Sequence, residues 1–214
     1  MDKQTLIGVF VIGLIVGGLI GWGVIPQKTV TAPSGITKSD LDFNNAMRML
    51  WEDHITWTRM YIVSAVADSP DTDKTAERLL RNQEDIGNAM KPFYGNEAGD
   101  KLTALLKEHI LTAAEIIKEA KAGNSTETAE KKWFSNADEI SAFLSKANPN
   151  WPENVLKDML YSHLTLTKEE AVARLTKDYT ADIAAYEKVH KQALEMSDAL
   201  SGGIVKQFPE KFMK

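Results

Sequence analysis

Three of the chain's four histidines interrupt apolar stripes at helical spacing. The first lies in Phe43, Met47, Leu50, His54, Trp57, Tyr61, Ser64. The second lies in Leu102, Leu105, His109, Ala113, Ile116, and the third in Ile183, Tyr186, His190, Ala193, Ser197, Leu200. Steps of three and four put each series on one helix face, the face that turns toward a bundle core. A polar ring buried there without a partner costs about 1–3 kcal/mol, so other side chains, water or a ligand must satisfy it. Imidazole ligates zinc, copper and iron. Helices packed about 8–10 Å apart let facing imidazoles reach one ion at about 2.0–2.1 Å. The expected centre is a mononuclear metal site (Zn, Cu or Fe) of His54, His109 and His190, with Glu187, Asn82, Tyr61 and Tyr186 around it. Haem held by two of the histidines is the alternative cofactor.

Other chemistries are poorly served. Glu187 stands three residues before His190, the spacing used in di-iron bundles, but such a site needs a second pair and two more inward carboxylates. Glu52 and Glu108 adjoin His54 and His109 on the wrong face, which excludes it. The chain has no cysteine, so disulfides, thiolate nucleophiles, Fe–S clusters and c-type haem attachment are ruled out. It carries no nucleophile elbow, phosphate loop, dinucleotide fingerprint or zinc-protease motif, and no residue is assigned a catalytic role. A formal net charge of −5 with no Lys/Arg cluster argues against nucleic acid as a partner.

The elements that must position these residues are helices throughout. Thr37 to Asp40 start a helix that runs to about 68, where Ser69-Pro70-Asp71 breaks the chain. A second helix is stopped by Pro92, and a third begins at Gly95-Asn96 and ends before Gly123. A fourth covers about 126–146, and Asn148-Pro149-Asn150-Trp151-Pro152 opens a short fifth. Thr167-Lys168-Glu169-Glu170 reads as a capping box starting the last helix, which runs to Gly202-Gly203. On these bounds His54, His109 and His190 are near mid-helix, as are Asn82 or Gln83 and Asn136. An antiparallel bundle brings such positions to one level, a polar layer across an oily interior. An offset of 54 carries Asn82, Glu84, Asp85 and Ile86 onto Asn136, Asp138, Glu139 and Ile140, and Leu102, Leu106 and His109 onto Leu156, Leu160 and His163. That echo suggests a duplicated helical hairpin.

Ahead of the bundle, Leu6 to Ile25 is a 20-residue run without charge that holds six of the 13 glycines. At a rise of about 1.5 Å per residue it matches the roughly 30 Å hydrocarbon core of a bilayer. It exceeds the apolar core of a cleaved signal peptide, so a retained single-pass anchor over 1–25 is expected. A linker over 26–37 then leads to a helical domain over 38–214 on the extracytoplasmic side. Gly13, Gly17 and Gly21 share a face of that helix and offer a homodimer contact. Asn124-Ser125-Thr126 is a glycosylation tripeptide, consistent with that side.

The fold class is therefore all-α: a transmembrane helix, then an antiparallel four-helix-bundle-like domain of four to six helices. Leu50-Trp51-Glu52-Asp53-His54-Ile55-Thr56-Trp57-Thr58-Arg59 resembles the signature of a family of small membrane-anchored helical proteins of bacteria and archaea. Asn82 to Asn88, Asn148 to Pro152 and Lys206 to Phe212 resemble its later motifs. The resemblance implies this architecture and no activity. Two functions are expected from the residues: a tethered module binding a metal, haem or small ligand at the His/Asn layer, or a structural and protein-interaction module whose polar layer sets helix register.

Overall fold

The computed structural model describes residues 37–213. The expected membrane helix, the linker up to residue 36 and the Gly13/Gly17/Gly21 face lie outside the described residues. Among the described residues no helix is long and apolar enough to cross a membrane.

Helix α1 spans Lys38–Ala67. Its start is a capping box: Asp40 N–H donates to Thr37 Oγ1 at 3.0 Å, and Thr37 N–H donates to Asp40 Oδ2 at 2.8 Å. Helix α2, Thr72–Ala122, is two limbs, 72–94 and 96–122, folded back on each other at Gly95. Gly95 has φ +85° and ψ 169°, a conformation essentially reserved for glycine that costs a Cβ-bearing residue about 1–3 kcal/mol. Pro92 does not end the first limb; the limb continues to the reversal. Two further glycines bring the limbs together. A Cβ on Gly87 would stand 2.6 Å from the Gly99 carbonyl oxygen, and one on Gly99 would stand 2.7 Å from that of Gly87.

Helices α3 (Glu127–Ala147), α4 (Glu153–Leu175) and α5 (Tyr179–Gln207) follow, with a 3-10 turn at Pro209–Lys211. One expected boundary moves. The chain does not break at Thr167, because the Thr167 hydroxyl donates to the His163 carbonyl within a continuous α4. The turn comes at Thr176 to Asp178, with Lys177 in the left-handed region (φ 63°).

The helices close into a ring, each packed on its chain neighbours and α5 returning to α1. Thr37 Oγ1 donates to the Phe212 carbonyl at 3.0 Å, so the two ends of the described chain meet.

Burial shows a three-part repeat: α1 with the first limb of α2, the second limb with α3, and α4 with α5. Met47, Leu102 and Leu156 occupy one equivalent position in the leading helices; Trp51, Leu106 and Leu160 another; His54, His109 and His163 a third. In the trailing helices Leu79, Trp133 and Val189 correspond, as do Ile86, Ile140 and Met196, and Met90, Leu144 and Leu200. Eight residues beyond each histidine, Ile62, Ile117 and Ala171 form a small cluster of their own. The sequence echo thus belongs to three hairpins rather than two.

Candidate functional site

The histidines that converge are His54, His109 and His163. All three are buried. Ring centroids of His54 and His163 are 5.7 Å apart, and those of His109 and His163 are 6.2 Å apart. Each hairpin holds its imidazole with a carboxamide from the trailing helix. His109 Nδ1 lies 3.0 Å from Asn136 Oδ1, while Asn136 Nδ2 donates to the Leu105 carbonyl at 3.1 Å. His163 Nδ1 lies 3.0 Å from Gln192 Oε1, while Gln192 Nε2 donates to the Met159 carbonyl at 2.9 Å. In both hairpins the acceptor carbonyl belongs to the residue four before the histidine.

This lock fixes the tautomer. With the amide nitrogen committed to a carbonyl, the amide oxygen faces the ring, and only Nδ1–H can donate to it. Proton on Nδ1 leaves the Nε2 lone pair of His109 and His163 free as an acceptor or ligand.

The first hairpin divides the task. Asn82 Nδ2 donates to the Leu50 carbonyl at 3.0 Å, the equivalent bond. Gln83 Nε2 stands 3.3 Å from His54 Nδ1 and donates to the Leu79 carbonyl and to Asn82 Oδ1. Gln83 Oε1 is left buried with no partner.

Burial governs the charge state. It pushes His109 down to about 3, with the nearby His163 adding to the effect against the Asn136 bond. Burial, then the neighbouring His163 and His109, hold His54 well below the ordinary imidazole value although Gln83 and Asn82 pull the other way. Burial likewise lowers His163, opposed by Gln192. The layer is three neutral imidazoles at neutral pH.

His54, Gln83, His109 and His163 line one cavity of about 20 Å³, with Trp51, Ile86, Leu106, Ile140, Leu160 and Met196 completing its wall. That is room for about one water. As the side chains stand, no group of three or more His, Asp or Glu among the described residues is arranged to hold a metal ion.

The other expected residues lie elsewhere. His190 sits on the outer side of α5, its Nε2 2.8 Å from Glu52 Oε2 on α1. The second half of the expected α5 stripe, Ala193, Ser197 and Leu200, is buried. In the first half the buried residues are Asp182, Ala185 and Val189, each one position before the expected Ile183, Tyr186 and His190, which leaves Ile183 exposed and His190 off the core. Glu187 is exposed. Tyr186 is half-buried beneath the Arg59 guanidinium, 5.4 Å from ring centroid to Cζ. Tyr61 is half-buried, and burial, with Asp73 adding to it, raises its hydroxyl. Asn82 alone of these belongs to the layer.

A second polar cluster was not expected. Glu170 and Asp182 are fully buried. Arg59 reaches both: Nη1 donates to Glu170 Oε1 at 2.9 Å, and Nη2 donates to Asp182 Oδ2 at 2.8 Å. Arg174 adds a 3.3 Å contact to Asp182. Burial pushes Glu170 up to about 7 against the pull of Arg59, and its Oε2 has no partner. Burial also works to raise Asp182, but Arg59 and Arg174 outweigh it and hold that carboxyl below its ordinary value.

Comparison of the chain with protein-family models, with curated proteins and with solved structures finds no match.

Proposed function

We propose that the bundle is a ligand-binding module, tethered by the apolar run at 6–25 with the bundle outside the cytoplasm, and that it holds one transition-metal ion between His54, His109 and His163. The observation that supports this is the carboxamide lock. In two hairpins it leaves an imidazole with a free Nε2 lone pair, the state a metal requires. Rings sharing an ion at about 2.0–2.1 Å have centroids roughly 5–5.5 Å apart, so the two measured separations need to close by about 1 Å or less. Gln83 Oε1 supplies the acceptor that a metal-bound water would donate to. Haem does not fit a cavity of this size. With three neutral ligands and no carboxylate in the cavity wall, a singly charged ion such as Cu(I) carries the smallest desolvation cost, since that cost grows steeply with charge.

A second reading is favoured by one specific observation. The rings stand apart as placed, and two of the three locks are complete without a ligand, which suits a layer whose work is to set helix register. Metal analysis of the purified full-length chain separates the two. Binding predicts about one ion per chain after equilibration with Cu(I), Zn²⁺ or Fe²⁺. It predicts loss of at least tenfold in affinity in His163→Leu and none in His190→Leu. Substoichiometric metal, with His163→Leu as stable as the parent or more so, leaves the register reading standing.

A further inference from the structure

Beside the histidine layer lies a second void of about 30 Å³. All twelve residues that line it are apolar, and they are the same four positions taken from each of the three hairpins. Six of them, Trp51, Ile86, Leu106, Ile140, Leu160 and Met196, also wall the cavity onto which His54, His109 and His163 open. The two spaces are therefore adjacent, divided only by that shared set of side chains.

Water does not suit the second void. A buried water needs two to four polar partners, and this wall offers at most one, the unpartnered indole N–H of Trp51, so the space stays dry and takes up apolar guests. Packed interiors carry few voids of this kind. This one lies where all three hairpins meet, against the histidine layer. Its wall includes Met47, Met90 and Met196, unbranched side chains whose rotamers shift readily and open a path for a small molecule.

We propose that this void is a binding site for an apolar diatomic gas, of the class of dioxygen, nitric oxide and carbon monoxide, held against the histidine layer. Delivery of the gas to a bound ion rests on the metal reading above; occupancy of the void does not. A volume of about 30 Å³ suits a diatomic molecule and excludes an acyl chain or aromatic ring, and the lack of polar lining excludes charged or hydrogen-bonding ligands.

The test uses dioxygen itself as a paramagnetic probe on the metal-free, methyl-labelled full chain. Under oxygen pressure the methyl groups of Leu106, Ile140, Leu160 and Met196 are expected to show relaxation enhancement at least threefold above that of Leu105 and Ile110, which are comparably buried but outside the void. Leu106→Phe fills the space and should abolish the excess; Met196→Phe does the same from another helix should the first variant fold poorly. Enhancement spread evenly over all buried methyls overturns the site. A chain that shows the local enhancement yet takes up no metal keeps the gas site and sinks the metal reading, and with it delivery to an ion. Metal uptake without local enhancement sinks only the gas site.

Discussion

At the scale of single residues, the carboxamide lock is where the energetics concentrate. Asn136→Ala strips the acceptor from His109 Nδ1–H in a dry core, and the expected cost is about 1–3 kcal/mol in urea denaturation. In a His109→Leu background the same change should cost much less, because no donor is left to orphan; equal costs in both backgrounds would show that the pair does not interact. The same burial sets an acid limit. His109 has a folded value far below its unfolded one, so stability is whole above the unfolded value and falls as pH drops through it. Between pH 6.5 and 5 the loss from this residue is about 2 kcal/mol, and His109→Leu should flatten that limb of the pH–stability curve. Acid unfolding that begins only near pH 4 in the parent chain would contradict it. The layer itself was legible: His54 and His109 are visible as polar breaks in apolar stripes, and Asn82 or Gln83 and Asn136 as polar residues at mid-helix. His163 was visible only through its offset of 54 from His109. Gln192 gave no signal, because a glutamine in the middle of α5 looks the same in the sequence whether it points in or out.

At the scale of elements, helix existence was readable and helix phase was less so. The breaks at Ser69-Pro70 and Gly123, and the reversal at Gly95, follow from backbone chemistry that any sequence displays. Thr167 to Glu170 misled because a capping box and a mid-helix Thr followed by a buried Glu share one spelling; only the partner Arg59, far away in sequence, tells them apart. His190 stands near the middle of its helix on either set of bounds; what the expected stripe missed is phase, since Ile183, Tyr186 and His190 each follow by one residue the position that is buried. Two predictions belong here. Gly87→Ala drives a methyl into the Gly99 carbonyl across the α2 hairpin and should cost about 1–3 kcal/mol, whereas Gly202→Ala, with nothing within 4 Å of the added carbon, should be neutral or stabilising. Glu170 binds its proton more tightly folded than unfolded, so its contribution is full below its ordinary unfolded value and is lost as pH rises through about 7. Glu170→Gln should therefore gain stability relative to the parent on going from pH 6 to pH 8. A difference between the two proteins that stays flat with pH would remove the raised carboxyl from the account.

At the scale of the whole molecule, three copies of one hairpin explain both cavities. Positions that repeat three times converge at the same height, so small mismatches in packing accumulate where all three meet instead of being absorbed by one neighbour. Besides the divided lock of the first hairpin, the repeat is broken by the Arg59–Glu170–Asp182–Arg174 cluster, where the other hairpins carry Tyr61 and Ile116 at the place of Glu170. The contact between Thr37 and Phe212 has a topological consequence. A bundle whose beginning touches its finish has no privileged starting point, so a short glycine-rich splice joining those residues, with the chain reopened at the exposed Gly123-Asn124 turn, should yield a circular permutant of residues 37–213 with unchanged helical circular dichroism and a single cooperative melt. A permutant that melts in two steps would mean that the hairpins close the circle in an order only the natural connectivity permits.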